Sequence, residues 1–322
     1  MSCLSTDQHG SCLHSRTLVH RSWQRGVTLI ELMISMVIGM AIIAAAVALY
    51  GGTSAASNIS QQQAQLSDDG QFALKLIANQ IRQAGYNPVQ KDRTTLNPLL
   101  GNFAIFACQN GFQTATVATP DLLTCNGSAA AGGHALAITY EADTRNTIPT
   151  ALGVPTSCLG ESLVQRSVIE TLINYNYYMA DNRFYVSNNQ LFCAGIVASP
   201  TAQVMVPNVE RLEFSFGVTS PTTTSGTTVT GYLSANALGH ASGSGGSVDG
   251  NLTAVSNVDR WKKVATVRVC VIMRSETPIL GTDLTHYYYG CDAAAAPISI
   301  TDGILRRAFI TTVALRNRIS TP

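Results

Sequence analysis

The stretch RGVTLIELMISMVIGMAIIAAAVALY, residues 25–50, decides the architecture. A basic residue and a glycine lead straight into an apolar run, and from Val27 to Tyr50 the only charged side chain is Glu31. A helix rises about 1.5 Å per residue and needs roughly 20 apolar residues to cross a hydrocarbon core about 30 Å thick, so this run is long enough to span a bilayer. An ionised side chain inside such a span costs roughly 2.5 kcal/mol or more at its centre, and it therefore marks a partner or a function. Cleavage after Gly26 would free the α-amino group of Val27, a cation at neutral pH, close to the depth of the Glu31 carboxylate. The carboxylate would then have a counter-charge, within one chain or between neighbours.

Two plainer readings explain less. A secretory signal has an apolar region of about 7–15 residues ending at an A-x-A-like site. Ala44, Ala45 and Ala46 imitate that site, but the run is longer, carries Glu31 at its start and continues into a helical pattern. A plain single-span anchor accounts for the length but not for Gly26 and Glu31 together.

The order Gly26, a hydrophobic residue, Thr28, Leu29, Ile30, Glu31 resembles the prepilin leader of type IV pilins and pseudopilins. The resemblance implies a leader over residues 1–26 cut after Gly26 by a prepilin peptidase, Val27 as the methylated new N-terminus, and Glu31 as the carboxylate needed for methylation and filament insertion. Such leaders most often have Phe where this chain has Val27. Arg16, Arg21 and Arg25 precede the span, and positive charge holds that side in the cytoplasm, so the body is expected in the periplasm or exterior.

Hydrophobic residues make up 46% of the 322 and charged residues 12%, with a formal net charge of +1. Bulk electrostatics thus point to no partner, and no basic excess suited to nucleic acid is present. Cys3 and Cys12 fall in the leader. Cys108, Cys125, Cys158, Cys193, Cys270 and Cys291 remain, an even set that favours disulfides in an oxidising compartment. Fifteen pairings are open to six cysteines and the sequence alone selects none; sequential pairing, each closing a modest loop, is the expectation. No C-x-x-C occurs and the spacing suits zinc poorly.

Residues 27–50 are expected as the transmembrane or filament-core helix and 51–86 as an amphipathic continuation, with a bend at Gly51 and Gly52. Leu66, Ala73, Ile77, Ile81 and Ala84 recur at threes and fours with Phe72 and Leu76 beside them, opposite Gln71, Lys75, Gln80 and Arg82. Gly85 suits a helix end and Pro88 prevents continuation. Beyond, the period becomes two. Leu212, Phe214 and Phe216 alternate with Arg211, Glu213 and Ser215, and Ala265, Val267, Val269, Val271 and Met273 alternate with Thr266, Arg268 and Cys270. Residues 134–140, 183–193 and 304–315 are further strand candidates. The expected fold is α+β: a long N-terminal helix packed on an antiparallel β-sheet head, residues 87–322, with a long Ser/Thr/Gly-rich loop at 219–256 whose lone charge is Asp249.

The segments SDDGQFALKLIANQIRQAGY (67–86), VPNVERLEFSFGV (206–218), WKKVATVRVCVIMRS (261–275) and TDGILRRAFITTVALRNR (301–318) together resemble the PilW family of type IV pilus minor pilins. That resemblance implies a pilin-like fold and a minor pilin that helps other minor pilins initiate pilus assembly, so supporting twitching motility, adhesion or DNA uptake. Implied partners are the prepilin peptidase, other minor pilins, the major pilin, the inner membrane and a tip adhesin. The implied location is the inner membrane with a periplasmic head, then the surface pilus. The middle of the chain, 89–205, resembles no named family.

Chemistry is sparse. His134, His240 and His286 stand isolated, without metal-ligand spacing, and no G-x-S-x-G elbow occurs. GSGGSVDG (243–250) lacks a P-loop lysine and reads as a turn. Asp68 with Asp69 suits a solvated helix face, and TYEADTRN (139–146) fails the EF-hand pattern. Tyrosines cluster at Tyr175, Tyr177, Tyr178 and Tyr185 with Phe184, and again at Tyr287, Tyr288 and Tyr289. With Arg183 they could stack on single-stranded DNA or a glycan, but strand packing is the commoner use. No catalytic site, metal or cofactor is expected. A type II secretion pseudopilin is the alternative function, and a membrane-tethered periplasmic enzyme a third.

Overall fold

The structure is a computed structural model that describes residues 26–87, 104–117, 123–128, 132–170, 173–195, 197, 201–219, 228–239, 257–282, 284–292 and 294–317. Helix α1 runs from Leu29 to Gln83. Gly51 and Gly52, where a bend was expected, lie inside its unbroken hydrogen-bonded run. Two glycines cost about 1 kcal/mol each against alanine, too little to interrupt so long a hydrogen-bonded ladder. The Thr53 hydroxyl also donates to the Leu49 carbonyl across them, at 2.5 Å.

The helix ends earlier than residue 86, and other parts of the chain finish it. Gly85, at φ 72°, turns the backbone, and its N–H donates to the Thr139 carbonyl at 2.9 Å. Asn317 Nδ2 donates to the otherwise open carbonyl of Arg82 at 2.9 Å. The chain forms two compact units, Met1–Ser57 and Asn58–Pro322.

Among the described residues the second unit holds two larger antiparallel sheets and a two-stranded ribbon, where the sequence suggested one sheet. The first joins β1 (Ile105–Cys108), β2 (Ala135–Ala142), β4 (Ile173–Ser187), β5 (Gln190–Gly195) and β6 (Ala202–Pro207) in that order, with β3 (Gln165–Glu170) pairing the start of β4. The second has the order β12 (Arg306–Ala314), β9 (Val264–Arg274), β7 (Val209–Thr219) and β8 (Val229–Leu233). Short helices α2 (Ala235–Leu238) and α3 (Asn257–Lys262) lie between β8 and β9, and β10 (His286–Tyr288) pairs β11 (Ile298–Ile300) as a separate ribbon. The single strand expected over 183–193 is two, because Asn188 and Asn189 take φ of 49° and 58° and turn β4 into β5. Part of the expected 219–256 loop is β8 and α2; residues 220–227 and 240–256 lie outside the described set, as does Pro88.

The predicted helix stripe is the one that is buried: Leu66, Ala73, Ile77, Ile81 and Ala84, joined by Gly70 and Ala78. It merges with both sheets in one core that includes Leu136, Ile138, Leu212, Phe214, Val269 and Val271. Phe72, expected beside that stripe, is exposed, and Gln80, expected on the polar face, is half-buried. The amide of Gln80 accepts from Asn182 Nδ2 at 2.8 Å and lies 3.5 Å from the Tyr140 hydroxyl. Burial pushes the Tyr140 phenol up to about 12. Trp261 fills the space between Phe106 and Phe216, with ring centroids at 5.4 and 5.0 Å, and its Nε1 donates to the Gly239 carbonyl at 3.0 Å.

Disulfides join Cys108 to Cys125, Cys158 to Cys193 and Cys270 to Cys291. Closing loops of this length constrains the unfolded chain by on the order of 3 kcal/mol each. The last bond explains a departure from the strand alternation: Cys270 was expected on the solvent side with Arg268, yet it is buried beneath the segment that carries Cys291.

Two predictions follow from this packing. A Cβ on Gly70 would sit 2.5 Å from the Phe309 ring. Gly70→Val should therefore destabilise the head by about 1–3 kcal/mol, read as a lower urea midpoint; an unchanged midpoint would show that the ring swings aside freely. His134 lies at the seam between the sheets, where its Nδ1 accepts the Phe214 N–H at 2.8 Å. Burial holds its pKa below the usual histidine value, with Glu213 opposing and Arg211 adding to the shift. The neutral ring is the one that accepts, so stability should be full above about pH 6.5 and decline as pH falls below it. His134→Gln should flatten that decline, and an equal decline in the variant would assign it elsewhere.

Candidate functional site

The N-terminal segment is built by three residues ahead of α1. Thr28 caps the helix: its Oγ1 accepts the Glu31 N–H at 3.3 Å, and its carbonyl accepts from Glu31 at 3.0 Å and Leu32 at 3.2 Å. Thr28 and Glu31 thus stand at the N-cap and N3 positions of a capping-box pattern. The spacing T-x-x-E was available in the sequence as a helix-start signal, and the sequence reading passed over it for the charge alone. A carboxylate in the first turn also complements the positive end of the helix dipole. One turn on, the Ser35 hydroxyl donates to the Glu31 carbonyl at 2.6 Å, so that polar group is satisfied within the helix.

Gly26 has open space where a Cβ would project. Val27, Leu29, Ile30, Leu32, Met33 and their successors to Tyr50 present exposed side chains. By length and composition α1 is able to cross a membrane, and none of its most apolar window is buried. The remainder of the proposed leader, with Arg16, Arg21, Arg25, Cys3 and Cys12, lies outside the described residues.

In the head, the structure withdraws from solvent the cation considered for nucleic-acid stacking. Arg183 is fully buried and bidentate to Asp181, at 2.6 and 3.2 Å. Two further N–H groups donate to the Ala115 and Val117 carbonyls at 2.8 and 2.7 Å, so it anchors the loop after β1. A buried pair of this kind is tolerated when its donors find acceptors, and four of the five guanidinium N–H groups do so here. Tyr177 and Phe184 are buried, and Tyr185 stacks on Phe192 at 5.5 Å; the Tyr175 side chain lies outside the described set. Tyr287 and Tyr289 are exposed, while Tyr288 lies 5.8 Å from the Arg306 guanidinium.

The other candidates have local duties. His286 Nε2 meets the Gly281 carbonyl at 2.8 Å, and His240 and the 243–250 turn lie outside the described residues. Asp143 Oδ1 accepts the N–H groups of Arg145 and Asn146 in its own turn. Asp69 is held above the usual carboxylate range by burial and then by neighbouring Asp68. Among the described residues no group of three or more His, Cys, Asp or Glu could hold a metal ion.

One ionic clasp escaped the sequence reading. Arg306 at the start of β12 reaches Glu210 on β7 at 2.7 Å and Asp302 at 2.6 Å. Its hydrogen bonds hold the Asp302 carboxyl down at about 2. The i, i+4 spacing of Asp302 and Arg306 was visible, but the strand pairing that brings Glu210 to them was not.

The prokaryotic N-terminal methylation motif matches residues 24–47, and type IV pilus-assembly protein W matches residues 176–317. No curated protein matches the chain. Among solved structures, a type IV-like pilin from Thermus thermophilus is similar at 10% identity over 79% of this chain and 97% of that one, with a TM-score of 0.33. The GspK-GspI-GspJ complex of the type 2 secretion system from enterotoxigenic Escherichia coli is similar at 11% identity over 76% of this chain and 96% of that one, with a TM-score of 0.27. The methylation motif thus lies over the start of α1, and the match to the PilW family of type IV pilus-assembly proteins runs from within β4 past the end of β12.

Proposed function

We propose that the chain is a minor pilin, held in the inner membrane by the first half of α1 and inserted into a type IV pilus, where it helps other minor pilins initiate assembly. The observation that carries this reading is the methylation motif placed on a helix whose first half is apolar and exposed all round. Such a helix supplies a surface for lipid first and for neighbouring helices afterwards. A prepilin peptidase cuts after Gly26, Val27 becomes the methylated terminus, and the head faces the periplasm until it leaves in the filament. Major pilin and a tip adhesin are the further partners, and twitching, adhesion or DNA uptake the outputs. The role is structural, with no chemistry of its own.

Glu31 carries the mechanism. In a filament core its carboxylate meets the N-terminal amine of a neighbour, and each charge makes the other tolerable there. Glu31→Ala leaves the neighbour's amine unpaired, so incorporation into pili should fall about tenfold or more while the N-terminus stays at Val27 by intact mass. Glu31→Gln keeps the length and polarity of the N3 side chain but loses the charge. It should fall equally if charge pairing governs, and it should remain near wild type if capping does. Normal incorporation of both variants would sink the role given to Glu31. A clean deletion, scored for surface pili and for secreted protein, separates this function from that of a secretion pseudopilin: lost export with normal pili would transfer the chain to the latter.

A further inference from the structure

Between β9 and β12, which are adjacent in the second sheet, the chain makes an excursion over residues 275–305. Its base is closed by backbone bonds. The Ser275 N–H donates to the Leu305 carbonyl at 2.8 Å, the Leu305 N–H to Ser275 Oγ at 3.1 Å, and the Ile279 and Leu280 N–H groups to the Gly303 carbonyl at 2.9 Å. Further out, β10 and β11 pair at His286–Ile300, Tyr287–Ser299 and Tyr288–Ile298 and form a sheet of their own. A two-stranded ribbon is marginal in water unless something holds it. Tyr287, Tyr289 and Ile298 are exposed, so burial supports this one little. It is fastened to the second sheet by the Cys270–Cys291 disulfide and by the Tyr288 ring, 5.8 Å from the Arg306 guanidinium and thus at the limit of cation–π range.

That disulfide lies apart from the other two. Cys108 and Cys193 are sealed in the apolar core, and Cys125 and Cys158 pack against it. Were one of those bonds opened, the core would still hold both sulfurs together. Cys270, by contrast, sits on the opposite face of β9 from the core residues Val267, Val269 and Val271, and Cys291 is half-buried. Both line an open cleft of about 690 Å³ with Glu213, Ser215, Arg268 and Asp292. Arg268, together with the Arg211 that pairs with Glu213 at 2.7 Å, balances the two carboxylates, so no net charge turns an incoming thiolate away. Opening this bond frees the ribbon, and the chain entropy regained opposes reclosure.

We propose that Cys270–Cys291 is a thiol–disulfide exchange site, at which a dithiol reductant unlatches the β10–β11 ribbon from the second sheet. One thiolate of the dithiol bonds to Sγ of Cys291, the more exposed cysteine, and Cys270 Sγ leaves as a thiolate and takes up a proton. The second thiol of the reductant loses its proton, bonds to the first and displaces Cys291 Sγ, which is protonated in turn. The protein disulfide has gained two electrons and two protons, and the dithiol has become a disulfide. Unlatching bares Cys270 and the wall of the cleft formed by Glu213, Ser215 and Ile310, while the core disulfides stay closed.

The test treats the full chain, in detergent micelles, with dithiothreitol under native conditions, traps free thiols by alkylation and reads each cysteine by peptide mass. Amide hydrogen exchange is followed on the same samples. Cys270 and Cys291 should be trapped about tenfold or more faster than the other two pairs. The amides of β10 and β11 should then exchange about tenfold or more faster, with those of β7 and β9 still protected. Cys270→Ser/Cys291→Ser should show the fast ribbon exchange without dithiothreitol. Equal trapping of the three pairs, or earlier trapping of another pair, overturns the proposal. So does unchanged ribbon exchange once the bond is open or absent, and so does loss of protection in β7 and β9 when it opens, which would make the bond a support of the core.

Discussion

The structure depends on one division along α1: a stripe from Leu66 to Ala84 is covered by the two sheets, whereas the residues from Val27 to Tyr50 are exposed. The covered part has the usual logic of an amphipathic helix, in which apolar residues at threes and fours remove one face from water. The bare part has no such explanation within the chain. Long apolar side chains exposed all round are stable only in lipid or against other protein, so this half of the helix describes its surroundings more than its own fold. Thr28 and Glu31 sit at the start of that half, where the Thr28 hydroxyl caps the helix and the Glu31 carboxylate places a charge near an apolar boundary.

The head is built to hold its end of α1 without slack. The Gly85 N–H on the Thr139 carbonyl, Asn317 on the Arg82 carbonyl and the Gln80–Asn182 amide contact tie the last turns to the first sheet and to the C-terminal segment. Phe309 of β12 lies against Gly70 in a contact that no larger residue would leave undisturbed. Each of these links is short range in space and long range in sequence. Their cost in loop closure is offset by the three disulfides and by a continuous apolar core.

Much of this was legible beforehand, for identifiable reasons. The buried stripe, the exposed span and the strands β7 and β9 obey periods of 3.6 and 2, which are local properties of the chain. What was missed depends on partners distant in sequence. Gln80 looked like a solvent-facing residue until Asn182 and Tyr140 were brought to it. Cys270 looked exposed until Cys291 was folded over it, and Arg183 looked like a ligand-binding cation until Asp181 and two carbonyls consumed its donors. Gly51 and Gly52 leave the helical ladder unbroken for a different reason: glycine permits a break but does not compel one when both flanks favour the helix.

The order of the disulfides has a consequence for how the head is made. Every bond joins a cysteine to the next one along the chain, across 17, 35 and 21 residues. A polypeptide threaded through a membrane from its N-terminal end exposes its cysteines to an oxidising compartment one after another. Each new thiol then finds its proper mate already waiting and unpaired, so the covalent framework can be laid down in the order of emergence, without reshuffling a wrong bond. A head with interleaved pairs would have had to wait for its last cysteine before its first bond was safe.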